Sequence, residues 1–148
     1  PSTFVDHEYG YSINAPKFAP AKSGATVARV FICAPAEDGF ASNVNVLIQP
    51  KAVSRAAYRE ETLQGFKTLA HKVKAERNAT VGGREALFVD AEGEQQGREM
   101  RFLSLAVFDT DRVILTTCSA PKASFAKYEA AFRATLDSFK LLPGATTP

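Results

Sequence analysis

Polar and apolar residues change their period several times along this chain, and each change predicts an element. Asn43 to Gln49, "NVNVLIQ", alternates almost perfectly, the pattern of a strand with one inward face. Val44, Val46 and Ile48 are predicted on one side and Asn43, Asn45, Leu47 and Gln49 on the other. "YGYSIN" (Tyr9 to Asn14) is a short strand ended by Ala15-Pro16, and Thr26 to Cys33 a second one. "APAEDGFAS", with Asp38-Gly39 as its turn signal, leads into the alternating stretch, which Pro50 closes. From Ser54 to about Lys74 the period becomes helical: Leu63, Phe66, Leu69, Ala70 and Val73 recur every three or four residues, behind Ser54 as N-cap. A meander follows. "AERNATV" reaches the turn pair Gly82-Gly83, "REALFVDAE" the turn "GEQQG", "REMRFLSLAVF" the hairpin "DTDR", and "VILTTCS" completes it. Phe125, Tyr128, Phe132, Leu136 and Phe139 then form the aromatic stripe of a last helix.

Strands joined mainly by hairpins, with two helices to cover them, predict an α+β fold. The expected form is one domain over residues 1–148, with an antiparallel sheet of about six strands and helices near 54–74 and 124–139. Short loose ends are expected at 1–5 and 143–148. The expected core is Phe66, Leu69, Val73, Phe88, Phe102, Val113, Leu115, Phe132, Leu136 and Phe139.

Composition agrees with a globular chain: 148 residues, 45% apolar and 23% charged. The net charge of +2 comes from 18 basic and 16 acidic residues scattered throughout, which argues against nucleic acid as a partner. No apolar run is long enough to span a bilayer. The chain begins at Pro1 and its one methionine is Met100, so either a processed leader or trimming to the folded part is expected. Cys33 and Cys118 each end an apolar run; one disulfide and two small buried thiols both stay open.

Candidate chemistry is sparse. His7 and His71 have no metal-ligand spacing and are expected at the surface or a boundary. Ser54 and Ser124 are better helix caps than nucleophiles. "VGGRE" lacks the lysine and hydroxyl of a phosphate loop. Asp109-Thr110-Asp111 is good turn chemistry and too few oxygens for a cation. Glu92, Glu94 and Glu99 belong to a solvated hairpin among Arg98 and Arg101. No catalytic, cofactor or metal set is therefore expected. The amides Asn43, Asn45 and Gln49 are the candidate binding surface, weighed against a structural role in which buried amides bond locally.

Taken in order, "YGYSINAP", "NVNVLIQP", "TVGGREALFVDAE" and the closing Tyr128, Phe132, Ser138 and Phe139 resemble the PsbP-like superfamily, the grouping of PsbP, DcrB, LpqN and Mog-type proteins. The resemblance covers nearly the whole chain. It implies an α/β/α sandwich and a non-enzymatic protein-interaction or assembly module. The setting it implies is the bacterial periplasm or cell envelope, with a lipid anchor on the precursor as one form. Another protein is the expected partner and a small ligand the alternative.

Overall fold

A computed structural model of the chain describes residues 2–15, 20–21, 27–32, 36 and 39–142. Among the described residues the main sheet has seven strands, all antiparallel: β1 (Pro20–Ala21), β2 (Val27–Ile32), β3 (Asn43–Gln49), β4 (Lys72–Val81), β5 (Arg84–Gln95), β6 (Arg98–Phe108) and β7 (Val113–Pro121). Their order across the sheet is β1-β2-β3-β7-β6-β5-β4. Three further strands, Ser2–Asp6, Tyr11–Ala15 and Lys140–Leu141, form a small separate sheet with Tyr11–Ala15 in the middle. Residues 2–5, expected as a loose end, are therefore strand. Residues 143–148 and Cys33 lie outside the described residues, and the disulfide alternative with them.

The two hairpins at β4/β5 and β5/β6 turn in two residues each. Gly82 (φ 56°) with Gly83 (φ 80°), and Gln96 (φ 53°) with Gly97 (φ 78°), hold the doubly left-handed backbone that matches strand twist. The second strand of this meander runs on to Gln95, so only the last part of "GEQQG" is turn.

Helix α2 (Phe125–Asp137) lies on β6 and β7 beside the small sheet. Phe132, Leu136 and Phe139 meet Tyr11, Ile13, Val44, Val46 and Leu105 in one continuous core. The Tyr11 and Phe139 rings stack at 5.4 Å. Asp90, 3% exposed, receives Nε and Nη2 of Arg101 at 3.0 and 2.8 Å, with Arg133 of α2 at 3.5 Å. That carboxylate ties α2 to the sheet. The hairpin carboxylate Asp109 is likewise structural: it accepts from Thr110 N and pairs with Arg84 and Arg112.

Helix α1 (Arg55–Thr68) covers the opposite face, mainly over β4 and β5. Ser54 caps it, accepting from Ala57 N at 3.1 Å. Arg59 reaches Glu76 on β4 through two hydrogen bonds that clamp the helix to the sheet margin. The helix stops six residues short of the expected Lys74. His71 N donates to Phe66 O at 2.7 Å and Ala70 N to Lys67 O at 3.2 Å, a Schellman end with Ala70 in left-handed backbone (φ 57°). Alanine stands where glycine would have signalled the stop, so the apolar period runs past it.

This face also corrects the expected core. Phe88, Val113, Phe132, Leu136 and Phe139 are buried. Phe66, Val73, Phe102 and Leu115 are only half-buried, and Leu69 is 62% exposed. All five of these lie on the α1 side.

Candidate functional site

Four of these residues, Phe66, Leu69, Phe102 and Leu115, line a cavity of about 360 Å³ between α1 and the sheet. Its floor is built from alternate residues of three neighbouring strands: Leu87 and Val89 of β5, Phe102, Ser104 and Ala106 of β6, Leu115 and Thr117 of β7. Its roof is one line of α1, Tyr58, Thr62, Gly65, Phe66 and Leu69. These positions are three or four apart and so share a helix face. That line should carry bulk throughout; instead Thr62 and Gly65 sit between Tyr58 and Phe66. A Cβ added at Gly65 would have nothing within 4 Å. The void follows from small residues at the two places where a core-facing helix normally puts large ones.

Tyr58 stands at one end. Its ring meets Phe108 edge-on at 5.2 Å and its hydroxyl donates to Gln49 Oε1 at 3.2 Å. Burial, with the Glu61 carboxylate adding to it, pushes this phenol up to about 12. Tyr58 is therefore a neutral donor at any physiological pH. His71 stands at the other end, its ring 5.8 Å from Phe102 and 5.9 Å from Phe66, its Nε2 3.0 Å from Glu94 O. It is thus a boundary residue, as expected.

The alternation of β3 is as predicted: Val44 and Val46 are fully buried toward α2, and the amides lie on the α1 side, half-buried. Asn43 Nδ2 donates to Ala41 O at 2.9 Å, and Asn45 Nδ2 to Asn43 Oδ1 at 3.3 Å. Gln49 receives the Tyr58 hydroxyl. The register places Asn45 opposite Thr117, and Thr117 opposite Ser104. Asn45 is therefore in line with the two floor hydroxyls, while Asn43 faces Ser119 and Gln49 faces Val113, and none of the three amides lines the cavity itself. Thr62, Gly65, Ser104 and Thr117 went unnoticed in the sequence. A glycine and a threonine on the inner line of an amphipathic helix were the one available signal.

A second cavity, about 420 Å³, lies on the other face between β4 and the end of α2. Its apolar walls Phe88, Leu105, Leu136 and Phe139 are each at most 6% exposed and already packed together, and Arg77, Asp137 and Lys140 line it too. The α1 cavity differs in having no Lys, Arg, Asp or Glu on its lining, which is mainly apolar with a few hydroxyls among the walls, the usual make-up of a ligand site. Among the described residues, no three His, Cys, Asp or Glu side chains come together as a metal site.

No protein-family model matches the chain, and no curated protein matches it in sequence. Solved structures do match in fold. Cyanobacterial PsbP (CyanoP) from Synechocystis superposes with a TM-score of 0.70 at 14% identity, over 95% of this chain and 91% of that one. LpqN, described as involved in cell envelope biogenesis of Mycobacterium tuberculosis, gives 0.69 at 12%, over 96% and 90%. A Pseudomonas aeruginosa protein of unknown function gives 0.67 at 14%, over 93% and 94%. The chain has the PsbP-like α+β fold, helices on both faces of an antiparallel sheet. No helix among the described residues is long and apolar enough to cross a membrane.

Proposed function

We propose that this protein is a non-enzymatic binding module of the bacterial cell envelope, and that it works by taking a small, largely apolar molecule into the cavity under α1. The observation that carries this reading is the cavity itself: about 360 Å³, walled by half-buried Phe66, Phe102 and Leu115, with the hydroxyls of Ser104 and Thr117 on its floor. A volume above roughly 300 Å³ with a few convergent polar groups is the size and character of a small-molecule site. Of the two modes expected from the sequence, a protein partner and a small ligand, this geometry favours the ligand. An envelope setting is supported by the fold shared with LpqN. A non-enzymatic reading is supported by the cavity's lining, which is mainly apolar and carries Tyr58 as a neutral phenol.

Gly65→Leu tests it. Leucine there adds bulk to the roof line at a point where a Cβ meets no atom within 4 Å, and replaces glycine by a stronger helix former. The variant is expected to fold with equal or higher thermal stability and to lose the thermal shift that apolar small molecules give the wild type. Equal shifts in both proteins would remove the cavity as the site. One observation favours a protein partner instead: Leu69 is 62% exposed at the cavity mouth. Capture of the same defined envelope protein by wild type and Gly65→Leu, lost only in Leu69→Ser, would establish that second reading.

A further inference from the structure

Two concavities lie back to back near the end of α1. The His71 ring lines one end of the apolar cavity, and beside it is a charged depression of about 310 Å³ lined by Lys72, Glu92, Glu94, Glu99 and Lys122. Leu69 borders both. Gly93 borders the charged side and lies directly against the ring: a Cβ on Gly93 would stand 2.1 Å from His71 Cδ2. One imidazole on the apolar side is thus seated on one glycine of the charged side.

The helix end explains part of this. A Schellman cap commonly brings the residue after the left-handed position against the one five places earlier, here His71 on Phe66. It does not explain why the ring is also stacked on Phe102 at an interplanar angle of 24°, or why the strand position beneath it is bare. Those two features flatten the ring across the end of the cavity and hold it there through Glu94 O.

Building on the ligand-binding reading above, we propose that His71 is the specificity-determining residue of the cavity: it limits the length of an unbranched apolar ligand by closing the passage to the charged depression. A chain that fits between Tyr58 and His71 is buried along its length. A longer one meets the ring, and its extra carbons stay in water.

A homologous series of straight-chain alcohols, hexanol to dodecanol, measures this by displacement of an anilinonaphthalene sulfonate probe. In the wild type, affinity should rise about fourfold per methylene while the chain is being buried and then stop rising at a defined length. His71→Ala removes the ring, and the rise should continue through several more carbons. His71→Phe keeps a flat ring at the same place and should keep the wild-type limit. Gly93→Ala forces the ring aside from below and should extend the limit as His71→Ala does. The same limit in wild type and His71→Ala overturns the proposal, as does a His71→Phe limit that moves with His71→Ala. If the wild type binds no member of the series, the ligand reading itself falls. A wild-type series that binds with no length limit refutes only the role of His71.

Discussion

The hydroxyl of Tyr58, in the first turn of α1, donates to Oε1 of Gln49, the last residue of β3, across 3.2 Å. One bond thus joins the roof of the cavity to the strand that carries the candidate amides. Its pH dependence has a definite sign. The phenol titrates near 10 in the unfolded chain and at about 12 when folded, because burial disfavours the phenolate and Glu61 adds to this. Stability from this group is intact below pH 10, where both states are protonated, and falls between 10 and 12 as only the unfolded chain loses its proton. The loss should amount to about 2–3 kcal/mol. Chemical denaturation of wild type and Tyr58→Phe across this window checks it, the phenylalanine variant having the shallower decline.

Asp90 gives a second test. Its carboxylate is 3% exposed and receives Arg101 in a two-bond fork. Asp90→Ala leaves two guanidinium groups facing each other without it. The cost should be about 2–3 kcal/mol, below the full penalty of a broken buried pair because Arg101 and Arg133 still reach water. Urea unfolding measures it, and a loss under about 0.5 kcal/mol would show that the carboxylate does not anchor α2.

Ala70 adopts φ 57° at the end of α1. Left-handed backbone costs an alanine about 1 kcal/mol that glycine avoids. Ala70→Gly should therefore raise stability by about 0.5 kcal/mol after the added freedom of the unfolded chain is set against it. An equal or lower midpoint in thermal unfolding would contradict the cap geometry.

The two faces of the sheet should respond oppositely to truncation. Phe132→Ala empties a fully buried site and should cost about 3–5 kcal/mol. Leu69→Ala, at a residue 62% exposed, should stay within about 0.5 kcal/mol. Equal losses at the two positions would mean that α1 packs as tightly as α2.

The residues that misled the sequence reading and the residues around the cavity are largely the same. Strands and turns were legible because period two and paired left-handed turn residues are local signals: Val44 and Val46 are buried as their alternation demands, and Gly82-Gly83 turns the chain. The aromatic stripe of α2 was legible because bulk at Phe125, Phe132 and Leu136 can only be core. Phe66, Leu69, Phe102 and Leu115 carry the same apolar signature, yet periodicity says which way a side chain points and not whether its neighbours fill the space opposite. That depended on Thr62 and Gly65, two small residues on the inner line of α1. The early end of α1 was hidden for a related reason, since Ala70 takes a glycine's conformation without a glycine's signature.

The small sheet has a consequence for how the chain is made. Ser12 pairs with Lys140, Tyr11 with Leu141, and Asn14 N donates to Ser138 Oγ at 2.8 Å. Synthesis delivers Tyr11 and Ile13 first and their partners Phe139 and Leu141 last. The four-stranded meander β4 to β7, in which every strand pairs with the next one made, can close as it emerges. The opening hairpin can pair on its own, but Tyr11 and Ile13 stay uncovered until α2 is available to fold onto them. A chaperone that holds nascent apolar segments would find its binding stretch there, and release would coincide with completion of the domain.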